Sequence, residues 1–227
     1  QRIRNDGDSA GMRVTDLLDS MVVNKGDPMW GLACEEYVVL DTETTGVDSQ
    51  HDDVIEVAAV RVRCGEMIDS YQALIRPTKP VGDSESVHGL SDALLAAEGR
   101  EAATVLQEFR SFIGSTPVAG HNVRFDLRML AAQGERVNVT MHFDEWFDSL
   151  TYARRLLRQD SYRLGDLANA LNLPVEPTHR ALDDVKTTVH LLLHLTEKGH
   201  RDAPVRRQLM TTYAPAFQRL RETLDHW

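Results

Sequence analysis

The stretch that decides the fold is VVLDTETTG, from Val38 to Gly46. It begins as an apolar run typical of a buried strand, and it then places Asp41 and Glu43 two residues apart. Residues i and i+2 of a strand point to the same face, so the two carboxylates should lie side by side. Like charges at that distance repel and raise each other's pKa, so the arrangement calls for a compensating positive charge.

The composition is that of a globular protein with one substantial core. The chain has 227 residues, of which 42% are hydrophobic and 26% charged. No apolar run approaches the roughly 20 residues of a membrane span, so no membrane partner is expected. The net charge of −10 argues against a protein that coats nucleic acid through bulk positive charge. It leaves open a nucleic-acid enzyme whose cations are bound metals.

Cellular location is inferred from the cysteines and the first residues. Cys34 and Cys64 make no disulfide framework, and a cytoplasmic location is expected. Residues 1–11 contain no apolar signal-peptide core, and the first residue is Gln rather than Met. The second feature is expected of a processed chain or of part of a longer protein.

The order of predicted elements gives the fold class. A tight turn at residues 63–66 should join the second and third strands in an antiparallel hairpin, and strands and helices alternate after it. This order predicts an α/β fold in which a central mixed β-sheet is flanked by helices on both faces. Strands are predicted at 37–41, 53–62, 67–75, 116–120 and within 146–150, and helices at 91–97, 102–113, 124–133, 149–158, 163–171 and 180–196.

Three segments are predicted. Residues 1–33 form an N-terminal flank or accessory helix, residues 34–199 the main domain, and residues 200–227 a helical extension. Apolar residues recur every three or four positions in the extension, and Pro215 should kink it. The extension is expected to pack on the main domain, with a partner-binding helix as the alternative.

A third acid lies in GHNVRFDLRML, residues 120–130. On a helix, Asp126 shares a face with Met129 and Leu130. An acid on an apolar face is costly unless something compensates it. Asp126 is therefore expected to face the interior together with a compensating group.

The fourth acid lies in THRALDDVKTTVHLLLHL, residues 178–195. Asp184 borders the apolar stripe of this helix, whereas Asp183 lines up with Arg180, Thr187 and His190 on what should be a solvated face. Asp184 is thus predicted to point inward and Asp183 outward. Together, the four inward acids suggest a site for Mg²⁺ or Mn²⁺, because hard cations prefer carboxylate oxygens. Two such ions about 3.5–4 Å apart can stabilise a phosphoryl transfer.

Three ordered motifs carry a family resemblance. DTETTG (41–46), HNVRFD (121–126) and HRALDD (179–184) resemble the three exonuclease motifs of the DnaQ-like DEDDh family. That family includes the proofreading subunits and domains of bacterial replicative DNA polymerases. SVHGLSD (86–92) is similar to the family's segment between the first two motifs, and the resemblance covers about residues 36–196.

The resemblance implies a fold, a reaction and roles. The fold would be ribonuclease-H-like, and the reaction a 3′→5′ removal of nucleoside 5′-monophosphates. Two divalent cations, Mg²⁺ or Mn²⁺, would be held by Asp41, Glu43, Asp126 and Asp184, with Asp41 bridging them. His179 would be the general base for the attacking water, a role that suits imidazole because its ordinary pKa is about 6.5.

The resemblance also implies a pocket for the terminal nucleotide. An apolar pocket accepts any base without reading its edge. From the residues alone, His88 could equally lie in a surface loop, Phe125 could simply be core, and His121 is expected to be structural. The family positions that line the pocket correspond here to Thr45, Val47, His88, Asn122 and Phe125.

The substrate is left open at this point. DTETTG is more similar to the DNA-proofreading branch than to the short-RNA exonucleases, so DNA with a free 3′ end is favoured, and a DNA polymerase is a candidate partner. One alternative is a 3′→5′ exoribonuclease acting on short or structured RNA. The other is a catalytically silent nuclease-fold module that binds nucleic acid or a polymerase. A silent module should lack one of the four acids or His179, and all five residues are present. The sequence sets no oligomeric state.

Overall fold

The computed structural model describes residues 36–63, 65–174 and 178–201, with side chains up to Thr196. The predictions for the N-terminal flank, for Cys34 and Cys64, and for nearly all of the C-terminal extension lie outside these residues. In the described part of the chain, no helix combines the length and apolar character that crossing a bilayer requires.

A five-stranded mixed sheet forms the centre of the domain, in the order β3-β2-β1-β4-β5. The first three strands are antiparallel neighbours, and β4 and β5 add in parallel to β1. The predicted hairpin and the predicted mixed sheet are both confirmed. The strands are β1 (Glu36–Thr44), β2 (Val54–Arg63), β3 (Glu66–Leu74), β4 (Val118–Gly120) and β5 (Trp146–Asp148).

The helices agree with the predicted ones, with one addition and clearly different ends for three of them: the helix predicted at 149–158 ends at Leu156, and the one predicted at 180–196 spans Ala181–Arg201. A short helix at Glu85–His88 was not predicted, and the helix that begins at Arg124 continues to Arg136 rather than ending at 133. Position 134, inside that longer helix, requires glycine, because a Cβ there would come within 2.3 Å of the Val139 carbonyl oxygen. The helices are α1 (Glu85–His88), α2 (Asp92–Glu98), α3 (Ala102–Ile113), α4 (Arg124–Arg136), α5 (Ser149–Leu156), α6 (Leu164–Leu171) and α7 (Ala181–Arg201).

Alternate residues of β1 enter two separate cores. Val38 and Leu40 pack with residues of α3 and α4 on one face of the sheet. Tyr37 and Val39 pack with residues of α5, α6 and α7 on the other. The period of two along a strand therefore directs Asp41 towards α7, and it directs Thr42 towards α4. Helices cover both faces, as predicted.

The loop between β1 and β2 is held against α4. Arg136 at the end of α4 donates to the carbonyl oxygens of Ser49, at 2.7 Å, and Asp52, at 2.8 Å. The Asp52 carboxylate in turn forms an ion pair with Lys79. The loop that follows the first acid motif is thus anchored on two sides.

Candidate active site

Three carboxylates meet where β1 ends and α7 begins. Asp41, Glu43 and Asp184 each offer an oxygen, and these oxygens all lie within 4.8 Å of one another. Asp41 and Glu43 come from one face of β1, and Asp184 from the first turn of α7. The structure brings together residues separated by more than half of the chain. It also confirms that Asp184 is buried on the inner side of α7.

The cluster is electrostatically incomplete without a cation. Burial raises the pKa of Asp41 well above its ordinary value, and the charges of Asp126 and Glu43 raise it further. Burial and the charge of Asp184 raise the pKa of Glu43 to about 8. Burial also raises the pKa of Asp184. These carboxylates therefore cannot all be ionised at neutral pH unless positive charge joins them. Their oxygens are the donor set that a hard divalent cation prefers, so the residues fit such an ion.

Asp126 approaches β1 from the opposite face of the sheet. It is 3% exposed, and its Oδ1 accepts hydrogen bonds from the Thr42 backbone N–H at 3.0 Å and the Thr42 hydroxyl at 2.7 Å. Burial nevertheless raises the pKa of Asp126. Within the described residues, the carboxylates spaced within 4.8 Å do not include Asp126. Its charge still acts on Asp41, so it lies beside the cluster and not in it.

His179 lies immediately before α7. Its backbone is left-handed, with φ of 56°, and the residue is exposed. The Thr178 backbone N–H donates to Asp184 Oδ1 at 3.1 Å, and the proximity of His179 favours the ionised form of Asp184, lowering its pKa. The structure thus places His179 next to Asp184 of the cluster, and its role as a base stays a prediction.

The predicted solvated face of α7 is wrong at Thr187. Thr187 is 0% exposed, and its hydroxyl donates to the carbonyl oxygen of Asp183 at 2.8 Å. The Arg180 side chain is 40% exposed, as expected, and its guanidinium pairs with the buried Glu56 at 2.8 Å. Packing of α7 against the sheet is broad enough to cover a strip that helical periodicity assigns to solvent. The Asp183 side chain itself is 39% exposed, as expected of an outward residue.

Glu56 is the residue that the sequence interpretation missed. It is fully buried in β2 and lies directly across from Glu43 in the strand register. Its charge raises the pKa of Glu43, whereas the nearby Arg180 lowers it. A single acid inside the apolar run VIEVAAV was the available signal, since a buried acid needs a partner.

The proposed nucleotide-pocket residues fall into different environments. Val47 is 78% exposed, an unusual position for an apolar side chain. The Thr45 hydroxyl accepts from the Asp53 backbone N–H at 2.9 Å. Asn122 is exposed, with φ of 64°, and its backbone N–H donates to Asp148 at 2.8 Å. Phe125 packs partly buried against the core of the α3 and α4 face.

His88 is buried, so its reading as a surface-loop residue is wrong. Its Nδ1 accepts from the Leu90 backbone N–H at 3.0 Å, which places the proton on Nε2, 3.2 Å from the Ser84 hydroxyl. Burial lowers the pKa of His88, so the neutral ring is favoured. His121 has a structural role, as predicted, because its ring nitrogens contact the Ser149 hydroxyl and the Tyr162 carbonyl oxygen, both at 2.8 Å.

Comparison with known proteins agrees with this geometry. The five-stranded mixed sheet between two helical layers is the ribonuclease-H-like fold of exonucleases, and the carboxylate cluster lies near the end of its central strand, β1. Residues 38–192 match the RNase_T family model, described as Exonuclease. The chain belongs to this exonuclease family.

The relatives in sequence are much longer than this chain. The PolC-type DNA polymerase III of Thermotoga petrophila is 31% identical over 191 residues, which cover 84% of this chain and 13% of the polymerase. The Bacillus subtilis protein of the same name is 33% identical over 172 residues, 73% of this chain and 12% of that protein. The chain therefore spans only a small part of these relatives.

Solved structures of exonucleases share the fold. Exonuclease X in complex with 5′ overhanging duplex DNA has a TM-score of 0.57 and 26% identity, covering 71% of this chain and 91% of that one. Exonuclease I of E. coli in complex with a dT13 oligonucleotide has a TM-score of 0.66 and 20% identity, covering 79% of this chain and 44% of that one. At that identity, the second likeness concerns the fold alone.

Proposed function

We propose that residues 34–199 form a metal-dependent 3′→5′ exonuclease domain that releases nucleoside 5′-monophosphates from single-stranded or frayed DNA ends. The observation that carries this proposal is the Asp41, Glu43 and Asp184 cluster with His179 at its border, in a chain of the exonuclease family. Buried acids with raised pKa values in one place are typical of functional sites.

The four acids would hold two Mg²⁺ or Mn²⁺ ions. Asp41, Glu43 and Asp184 already lie close enough to share a cation, and Asp126 would contribute from the other side of β1. When bound, divalent ions stabilise negative charge on the attacking and leaving oxygens of a phosphodiester. Thr42 holds the Asp126 carboxylate in one orientation through two hydrogen bonds, so that acid is preorganised.

His179 is the proposed general base. It would take a proton from the water that attacks the terminal phosphodiester, and its exposed position allows the proton to pass to solvent. The water oxygen would bond to phosphorus while the bond between phosphorus and the 3′ oxygen of the penultimate nucleotide breaks. That 3′ oxygen would take a proton from solvent, and the terminal nucleotide would leave with its 5′ phosphate. The four acids do not exchange protons with substrate in this scheme.

The terminal nucleotide is proposed to bind beside the loop after β1. Exposed Val47 and partly buried Phe125 would offer apolar surface to a base, and Thr45, Asn122 and the buried His88 complete the proposed set. Apolar contact with a base face is tolerant of base identity. An end must be unpaired to reach such a pocket, which favours frayed or single-stranded substrates.

DNA is favoured over RNA by the relatives. Those with the highest sequence similarity cited above are DNA polymerases, and the exonuclease X structure contains DNA. A polymerase is accordingly a candidate partner, and removal of misincorporated nucleotides a candidate role. An exoribonuclease is the alternative, because the acids and His179 would act on the phosphodiester group, which DNA and RNA have in common.

The decisive experiment compares matched single-stranded DNA and RNA oligonucleotides, each labelled at the 5′ end, in Mg²⁺ and in chelator. A 3′→5′ exonuclease gives a ladder of shortened labelled strands in Mg²⁺, whereas the opposite polarity releases labelled mononucleotide at once. Faster digestion of RNA would favour the alternative substrate. Absence of turnover on both polymers would leave the silent nuclease-fold module as the correct interpretation.

A further inference from the structure

Glu56 has no capacity left for a metal ion. Its Oε1 accepts from Gln72 Nε2 and from Arg180 Nη2, both at 2.8 Å. Its Oε2 accepts from Arg180 Nε at 3.2 Å and from the Ala181 backbone N–H at 3.1 Å. A carboxylate offers about four acceptor positions, and these donors occupy them. This fully buried acid beside the cluster therefore has a different task.

The Glu56 contacts fix the start of α7. Three of the four donors belong to Arg180 and Ala181, the two residues that follow His179. On the preceding side of His179, the Thr178 backbone N–H is bound to Asp184. His179 thus lies between two anchored neighbours. Its left-handed backbone, with φ of 56°, is one that a residue with a side chain keeps only when its surroundings hold it.

We infer that Arg180 and Glu56 are positioning residues that hold the His179 imidazole at the carboxylate cluster. The inference rests on the proposed function, since it presumes that His179 acts as a base. The Arg180 guanidinium binds Glu56 through two nitrogens, so the interaction fixes the orientation of Arg180 as well as pairing its charge. The backbone turn at His179 is thereby held in one orientation. A lysine at position 180 would supply the positive charge but could not form the two parallel hydrogen bonds.

A purely stabilising role makes different predictions. A buried ion pair is weak evidence for stability in itself. If the pair only stabilised the fold, its loss would lower activity whether or not His179 is present. If the pair positions His179, loss of the pair should lower the maximal rate and leave the DNA concentration for half-saturation almost unchanged. In a variant that already lacks the imidazole, loss of the pair should then have little effect on the rate.

The test is a double-mutant cycle on the full chain, measured as single-turnover cleavage of a 3′-labelled single-stranded DNA in saturating Mg²⁺. Arg180→Ala should lower the maximal rate about 10²-fold, as expected of a small misplacement of a catalytic group, and shift half-saturation less than about threefold. In a His179→Ala background, Arg180→Ala should lower the rate by less than about threefold. Arg180→Lys should show the same pattern with a smaller loss.

Lys186→Ala is the matched control, because it removes a cation from the same helix whose partner is the exposed Asp183, at 3.8 Å. It should remain within about twofold of wild type. Thermal unfolding midpoints establish that each variant is folded. If Arg180→Ala does not fold, the double-mutant cycle is measured with Arg180→Lys instead. Equal losses with and without His179, or an Arg180→Ala rate close to wild type, would overturn the inference. An inactive wild type would instead overturn the proposed function.

Discussion

The adjacent acids Asp183 and Asp184 give the sharpest test of the site. Asp184 is buried with an oxygen within 4.8 Å of oxygens of Asp41 and Glu43. Asp184→Asn keeps the shape and removes one negative charge from the proposed metal site. The charge stabilisation that a catalytic metal supplies is several kcal/mol. A loss of about 4 kcal/mol, at about 1.4 kcal/mol per tenfold, corresponds to a rate about 10³-fold lower.

The same substitution should not destabilise the metal-free protein. Burial raises the pKa of Asp184, so its ionised form is unfavourable in the folded chain, and a neutral amide avoids that cost. The Asn oxygen can still accept from the Thr178 backbone N–H. In chelator, Asp184→Asn should therefore unfold at the same urea concentration as wild type or at a higher one. In Mg²⁺ it should lack the stabilisation that wild type gains by mass action.

Asp183→Asn is the matched control, one residue away. Asp183 lies 3.8 Å from the Lys186 ammonium in a pair that is about 40% exposed, and it accepts from the Thr178 hydroxyl at 2.8 Å. Exposed pairs contribute about 0–1 kcal/mol to stability, so activity should stay within about twofold of wild type. The assay is single-turnover cleavage of a 3′-labelled oligonucleotide across Mg²⁺ concentrations. An inactive Asp183→Asn together with an active Asp184→Asn would refute the ligand assignment.

Three further predictions concern pH, substrate and packing. In chelator, the free energy of unfolding should fall as pH rises from about 5 to 8, by at most about 1.4 kcal/mol per pH unit for each such group. The reason is that Glu43 holds its proton more tightly when folded, with a pKa of about 8 against an ordinary 4.5. Glu43→Gln should flatten this slope in urea titrations, and a slope of opposite sign contradicts the reasoning. Mismatched 3′ ends should be cut faster than paired ones, because unpairing costs a few kcal/mol; equal initial rates on blunt duplex and single strand would argue against a terminal pocket. Gly134→Ala should lower the free energy of unfolding by about 1–3 kcal/mol despite the better helix propensity of alanine, because its Cβ would come within 2.3 Å of the Val139 carbonyl oxygen, and a more stable variant in urea titrations would show that α4 can shift.

The periodicity of apolar residues was sufficient to predict the fold and to predict that Asp126 and Asp184 face the interior. The strands and helices follow from alternation and helical spacing, and the buried positions of Asp126 and Asp184 follow from the apolar residues on the same helical faces. These are local properties of the chain, so a sequence displays them directly.

What the sequence did not predict depends on contacts between distant segments. The Glu56 and Arg180 pair joins residues 124 positions apart, and the Thr42 and Asp126 hydrogen bonds join residues 84 positions apart. Thr187 was assigned to solvent because helical spacing cannot show how wide a strip the sheet covers. Polar pairs between distant segments leave no periodic pattern in the sequence. Only the Glu56–Arg180 pair had a signal, which was the isolated acid in β2.

The path of the chain has a consequence for when cleavage becomes possible during synthesis. All five strands are complete at Asp148, whereas the third carboxylate of the cluster arrives only with Asp184 in α7. Domains generally fold as units during synthesis, and α7 covers one face of this sheet, so the core is incomplete until α7 has been translated. A nascent chain can therefore carry every strand of this sheet while it still lacks Asp184 and the proposed base, His179. Under the proposed function, a chain that ends before residue 179 should therefore be inactive, although it contains every strand of the sheet.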